Sequence, residues 1–318
     1  MKMVNNRQPH VVAIVLNWNG MNVTYSGKPI LELCLTTLLK TEYKNLNVIV
    51  ADAESSDNSI DFVRADFPEI KILRVKNLGW AYGNNVAIKY AFRAFPDLDY
   101  ILLLNTDLIF KERNWLLKLV DVASKDEKIG IAGCRLFYPD GLIQHAGTHL
   151  TFFGLPDNYK NNRPSGYAWS VIGALFLIKR EVIEKIGLFD ERYLPFFEEE
   201  VDYCERARKE GYKVYYLGTT NIIHLEGKTI YKSDLRLKQS KKGIEFIFTR
   251  NNFIFLLRWH KWHLPVNIGF RFVIPLFSNL IVTKLHRTPI KYHFSVVIPA
   301  LKEALKLYKM HRIPKLKR

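Results

Sequence analysis

Through the first third of the chain, near-continuous apolar runs alternate with segments of helical spacing. Val11–Asn17 (VVAIVLN), Leu46–Ala53 (LNVIVADA), Ile70–Val75 and Tyr100–Leu104 (YILLL) are short, apolar and bounded by polar residues, which predicts strands buried on both faces. Between them, three segments carry helical spacing: Ile30–Lys40, the stretch through Ile60, Phe62 and Val63, and Tyr82–Phe95. Ser55-Ser56-Asp57 supplies capping chemistry for the second, and Pro96 stops the third. Four such alternations within 107 residues predict an α/β fold on a parallel sheet. Further on, the pattern predicts helices at Asn114–Ser124, Glu181–Ile186 and Glu199–Lys209, and strands at Gly130–Phe137, Val171–Ile178, Lys213–Leu217 and Asn221–Leu225. The polar stretch Gly154–Gly166, punctuated by Gly and Pro, reads as a mobile loop able to close over a ligand. A last helix, Val297–Met310, places Val297, Leu301, Ala304/Leu305 and Tyr308 on one face and Lys302, Lys306 and Lys309 elsewhere.

In open α/β sheets, ligands bind beyond the carboxyl ends of the strands, so Asn17–Asn19, Asp52–Glu54, Asn77–Gly79 and Asn105–Asp107 fall along one rim. The common phosphate motifs are missing. GxGxxG does not occur, and Gly227-Lys228-Thr229 has Ile222 where a P-loop needs its first glycine, which disfavours a dinucleotide oxidoreductase or a P-loop NTPase. Asp107, just past a buried strand, can hold a hard divalent cation against a diphosphate, though the same position suits a turn or capping Asp. Phe196 to Asp202 sets four carboxylates (Glu198, Glu199, Glu200, Asp202) within five positions. Mutual repulsion raises the pKa of one of them or calls for a cation, and the bland reading is a solvated helix N-terminus. His224, after Ile222-Ile223, is either structural or the completion of a metal site with Asp107.

Charge divides the 318 residues unevenly. After residue 227 there are 20 Lys and Arg against 3 Asp and Glu; before it, 27 against 28. Two regions follow: residues 1–227, near neutral, and residues 228–318, basic and amphipathic. Arg258-Trp259-His260-Lys261-Trp262-His263 and the last helix resemble sequences that lie at a lipid headgroup interface, so an anionic membrane surface is the expected partner. Nucleic acid is disfavoured because the basic residues alternate with long apolar runs; a homo-oligomer through the same faces is the remaining alternative. Ile268–Val282 is too short and too broken to span a bilayer, and Met1–His10 lacks a signal-peptide core. Cys34, Cys134 and Cys204, far apart, suit a reducing compartment rather than disulfides or a zinc site.

Several motifs in order resemble glycosyltransferase family 2, enzymes of the Rossmann-like GT-A fold. Val12–Gly20 resembles that family's first strand and loop. Asp52–Ser59 (DAESSDNS) resembles its DNGSSDGS segment, with Ala53 and Glu54 departing, and Asn77–Asn85 (NLGWAYGNN) is similar to NxGFAxGNN. Gly173-Ala174, Gly187–Asp190, the acidic cluster, Arg206, Gly211-Tyr212 and His224 follow, so the similarity covers about residues 10–225. The resemblance implies an inverting, Mg²⁺- or Mn²⁺-dependent transferase. Asn17, Asn19, Asp52, Glu54, Asn77, Gly79, Asn85, Asn105, Thr106 and Asp107 would be its donor-binding residues, Asp52 contacting a pyrimidine base. Asn105-Thr106-Asp107 would be its DxD-type motif, with Asp107 and His224 as metal ligands. Glu200, with Glu199 beside it, would be the catalytic base, standing where the family has Asp. Overall likeness to rhamnosyltransferases implies a dTDP-rhamnose donor and a lipid-linked glycan acceptor at the cytoplasmic face of the membrane, approached peripherally. A galactosyl- or N-acetylglucosaminyltransferase using a UDP-sugar, and a degenerate scaffold, stay open as alternatives.

Overall fold

The computed structural model describes residues 7–226, 241–271, 290–310 and 313–316. The boundary expected at 227/228 and the second half of Ile268–Val282 lie outside them. The predicted strands form with little change: β1 Val11–Asn17, β4 Leu46–Ala53, β5 Lys71–Val75 and β6 Tyr100–Asn105. Two two-residue strands, β2 (Thr24–Tyr25) and β3 (Lys28–Pro29), make a hairpin between β1 and α1 (Ile30–Leu38). Helices α2 (Ser59–Asp66) and α3 (Trp80–Ala94) complete the alternation. β1 pairs in parallel with both β4 and β6, so Asn17 stands level with Asp52 and Leu16 with Asn105.

The second half departs from the parallel expectation. After β7 (Leu108–Phe110), α4 (Trp115–Lys125) and β8 (Ile129–Phe137) come β9 (Ile143–His145), β10 (Thr148–Leu150), β11 (Pro156–Asn158) and β12 (Gly166–Ala168). β13 (Leu175–Lys179) runs antiparallel between β6 and β8, and with β14 (Lys213–His224) the main order is β12-β14-β8-β13-β6-β1-β4-β5. Residues 171–174, expected as strand, are irregular and deliver Gly173 against Trp80. β14 (Lys213–His224) is one long strand, bulged between Leu217 and Ile222, where two were expected. The bulge lets its end turn to pair with β7, level with Leu108. α5 (Arg180–Ile186) and α6 (Glu199–Lys209) cover one side. Gly154–Gly166 is tied down in part: β11 pairs with β10, Tyr159 stacks on His149, and Arg163 lies over Tyr159.

The basic C-terminal part contains helices Lys241–Trp259 and Ile290–Lys309, with helical residues 263–271 between them. These helices are not an appendage. Phe253–Leu256, Val297, Ala300 and Ala304 share one buried cluster with Tyr193 and with Val201 of α6. Arg258, Trp259 and His260, expected at a headgroup interface, point inward to Asp190, Asp202 and Glu205.

Candidate active site

The rim forms where β1, β4, β5 and β6 end, and its first half is bonded to itself. Asn17 Nδ2 donates to Asp52 Oδ1 (2.8 Å) and the Ser55 amide to Asp52 Oδ2 (3.0 Å). Asn19, with positive φ, accepts from the Ser56 amide through Oδ1 (2.7 Å), while its own amide donates to Ser55 Oγ. Asp57 binds the amides of Met21, Asn22 and Ser59. Asn17 Oδ1 is buried without a partner. Glu54 departs from the family glycine yet keeps glycine's backbone, at φ 54°, and its exposed carboxylate accepts from the Asn77 amide (3.1 Å).

Two residues expected at the donor are directed elsewhere. Thr106 Oγ1 donates to the Leu16 carbonyl at 2.5 Å, and Asn85 is fully buried, exchanging bonds with the backbone of Phe189 and with Glu191. Thr106, between β6 and β7, and Asn85, inside α3, both satisfy backbone groups of neighbouring segments. Asn105 Oδ1 accepts from Trp80 Nε1 (3.1 Å), which also fixes the indole against Phe189. Trp80 carries no titratable group, so a search for acid, base and metal chemistry passes over it.

Asp107 and His224 do meet: Oδ1 and Nε2 lie 3.2 Å apart, both side chains nearly buried. Gln144 Nε2 donates to Glu226 Oε2, so Gln144 Oε1 is the atom that accepts from His224 Nδ1, at 2.7 Å. With Nδ1 committed as donor, Nε2 faces a carboxylate with its lone pair, and a proton or a cation must sit between them. Burial alone would lower the His224 pKa, but the Asp107 charge, the hydrogen bond to Asp107 and the Glu226 charge together outweigh it and raise the value. This donor set fits a divalent cation that takes its other ligands from diphosphate and water. Among the described residues no group of three or more His, Cys, Asp and Glu gathers for a metal. Gln144 and Glu226 have no sequence signal of their own, since a bulged strand brings them to the histidine.

The acidic segment is built under constraint. Phe197 and Glu198 both have positive φ, at a cost of about 1–3 kcal/mol each for residues with a Cβ. What holds them is Asn251, whose Nδ2 donates to the carbonyls of Tyr193 (2.6 Å), Phe196 (2.8 Å) and Phe197 (3.0 Å). Asp202 leaves the cluster: it is fully buried and binds Arg206, Arg258, Trp259 Nε1 and the Tyr193 hydroxyl. Asp190 is tied to Arg192 and Arg258, which hold its pKa down against a burial that would raise it. Glu198, Glu199 and Glu200 remain. Burial, with the Glu200 charge second, pushes Glu199 well up, and one of its oxygens has no partner. Glu200 is only half-buried and is pushed up by burial to about 7.

The two halves of the rim touch at Gly79. The Trp80 amide donates to the Pro195 carbonyl (2.9 Å), and a Cβ on Gly79, at φ 123°, would stand 2.2 Å from that oxygen. Gly79→Ala is therefore expected to displace the segment leading to Glu200 and to destabilise the fold by about 2 kcal/mol. If Glu200 is the base that the resemblance implies, turnover should fall at least about tenfold, since misplacing a reacting group by an ångström costs up to about two orders of magnitude; steady-state kinetics and the melting temperature check both. For Asn251→Ala, the expected result is a loss of about 1–3 kcal/mol from carbonyls left unpaired. Its pH–rate profile should also shift, because the left-handed turn that sets the surroundings of Glu200 relaxes; a purely structural asparagine would leave the profile where it was.

Residues 23–187, just over half of the chain, match Glycosyl transferase family 2. The chain is 32% identical over 142 residues to the O-antigen biosynthesis protein RfbC of Myxococcus xanthus, covering 40% of this chain but 11% of that protein. It is 24% identical over 291 residues to the N-acetylglucosaminyl-diphospho-decaprenol L-rhamnosyltransferase of Mycobacterium tuberculosis, covering 82% of this chain and 91% of that one. The fold is similar to that of GalNAc-T7, crystallised with UDP, GalNAc and Mn²⁺, at a TM-score of 0.61 and 14% identity over 98% of this chain and 56% of that chain. A sheet whose Asn17, Asp52 and Asn105 line one rim, closed by an Asp–His pair and a carboxylate cluster, is thus the GT-A fold, and the chain belongs to glycosyltransferase family 2.

Proposed function

We propose that the protein is an inverting, divalent-metal-dependent rhamnosyltransferase that uses dTDP-rhamnose and extends a lipid-linked glycan at the cytoplasmic face of a membrane. The observation that carries the reading is the pairing of two differently placed groups on one rim: Asp107 with His224 at 3.2 Å, and Glu200, half-buried and held near neutrality. A departing nucleoside diphosphate needs cationic stabilisation, and an attacking hydroxyl needs a base of matched pKa. The rhamnosyl donor and lipid-linked acceptor are supported by the likeness to the mycobacterial enzyme along nearly its whole length.

Bound Mg²⁺ or Mn²⁺ would neutralise charge on the leaving diphosphate. The chain's own residues do the rest. Asp107 and His224 orient the diphosphate end of the donor, and the Asn17–Asp52–Ser55 network shapes the base end. Glu200 takes the proton of the acceptor hydroxyl as that oxygen attacks the anomeric carbon from the face opposite the leaving group, so configuration inverts. Burial, with the Glu200 charge second, raises the pKa of Glu199 beside it.

The test is transfer from dTDP-rhamnose or a UDP-sugar to a prenyl-diphosphate-linked N-acetylglucosamine, together with calorimetric binding of dTDP and UDP with and without Mn²⁺. Rhamnosyl transfer of inverted configuration, with tighter binding of dTDP than UDP in Mn²⁺, is the expected result. Turnover of a UDP-sugar alone overturns the donor assignment. Binding of neither nucleotide overturns the enzyme's proposed chemistry.

A further inference from the structure

Exposed large apolar side chains are unevenly placed. On the catalytic sheet and its helices they stand singly, as at Leu39, Leu78, Leu117 and Leu142, which is ordinary for any soluble surface. Apart from Tyr167 on β12, the others collect on or next to the C-terminal helices and on the β10–β11 hairpin that lies against them.

The hairpin tip is fastened there by several contacts. Asn267 Nδ2 donates to the Phe153 carbonyl (2.6 Å), Asn252 Nδ2 donates to the Gly154 carbonyl (2.9 Å), and the Phe153 and Phe270 rings lie 4.2 Å apart. Phe153 is thereby used inward, while Phe152 beside it is left 73% exposed. Gly154 closes on His263, where a Cβ would come within 3.0 Å, and Trp262 stacks on that histidine at 3.6 Å and is 68% exposed. Lys261 lies over the Tyr308 ring, 5.8 Å from its centre, which carries the same surface onto the last helix.

That helix has two apolar stripes where the sequence pattern gave it one. Val297, Ala300 and Ala304 are buried with the Lys241–Trp259 helix, whereas Ile298 and Leu305 face outward among exposed Lys302, Lys306 and Lys309, and exposed Met310 follows the helix end. Its acidic residue, Glu303, is bonded to Arg250.

We propose that this face, with Phe152, Trp262, Ile298 and Leu305 as its apolar points and Lys302 and Lys306 at its margin, docks on an anionic phospholipid bilayer. Trp and Phe at the tips of rigid elements, amid lysines, match the layer between headgroups and acyl chains. Exposed Lys261, Lys302, Lys306 and Lys309 on this surface match an anionic leaflet. A second copy is the poorer occupant, because two copies of a cationic face repel. The placement also has a consequence for the acceptor. The Lys241–Trp259 helix supports this face through Val297 and Ala304 and, through Asn251, holds the carbonyls that precede Glu198. Membrane surface and proposed base segment therefore share one support.

This inference deepens the proposed membrane-bound role and rests on it. The test is cosedimentation of the full chain with phosphatidylglycerol–phosphatidylcholine vesicles and with phosphatidylcholine alone. Wild type is compared with Phe152→Ser/Trp262→Ser and with Lys302→Glu/Lys306→Glu, and dTDP–Mn²⁺ binding serves as the check on folding. The expected result is binding to the anionic vesicles, reduced at least tenfold in each double variant with nucleotide binding unchanged. Equal binding by wild type and variants overturns this face while leaving a membrane role in place. No vesicle binding by wild type overturns the membrane role with it, yet leaves the transferase reading to its own nucleotide test. A concentration-dependent dimer in sedimentation velocity, lost in the variants, would assign the face to a second copy and overturn the proposal.

Discussion

Glu200→Gln is expected to lower kcat by about 10²- to 10⁴-fold, the usual worth of a positioned general base, and to leave dTDP affinity in Mn²⁺ unchanged. Glutamine keeps the shape and half-burial of the side chain but cannot accept a proton. The distinguishing measurement is the pH profile. In wild type, kcat/KM climbs as Glu200 loses its proton near its raised pKa of about 7, then levels off; the variant's residual rate lacks that limb. Stability runs the other way. Between its ordinary pKa of 4.5 and about 7, Glu200 binds a proton more readily in the folded chain than in the unfolded one. Its contribution is fully present below about pH 4.5 and is lost as pH rises through about 7. Across that window the melting temperature of Glu200→Gln should fall less with pH than that of wild type. A variant with full activity and an unaltered profile would remove Glu200 from the mechanism and direct attention to Glu199.

Asp107→Ala is expected to abolish the metal-dependent part of donor binding. The dTDP affinity measured in Mn²⁺ should drop about a hundredfold, ~3 kcal/mol, while the affinity measured with a chelator stays as in wild type. The variant should fold. The Asp107 backbone carbonyl, not its side chain, receives the Leu225 amide, and β7–β14 pairing is likewise main-chain. Removing the carboxylate takes away one of the two proposed metal ligands and leaves the His224 ring its bond to Gln144. Undiminished Mn²⁺ dependence in this variant would show that the cation is held elsewhere.

Much of the first half of the fold is legible in the sequence for a simple reason. A strand buried on both faces must be apolar throughout, and the change to helical spacing marks where it ends; Val11–Asn17 and Leu46–Ala53 form as read. The same regularity placed Asn17, Asp52 and Asn105 on one rim, because parallel neighbours in register end together. Which of those polar residues face the donor is a different matter. Asn85 and Thr106 sit in the right motifs, yet nearby backbone groups take their bonds. Four carboxylates in sequence became three when Asp202 found Arg206 and Arg258.

The α/β order, the acidic rim, the Asp107 and His224 candidates and the charge division were determined by the sequence alone, since each depends on local period or composition. The antiparallel β13, the Gln144–Glu226 support behind His224 and the contact of Gly79 with Pro195 were decided only by tertiary structure. So was the inward turn of Arg258 and Trp259. Each of these joins residues far apart in the chain, and a hydrogen bond or a close approach at that separation depends on how helices and strands pack, which no local pattern of apolar and polar residues records.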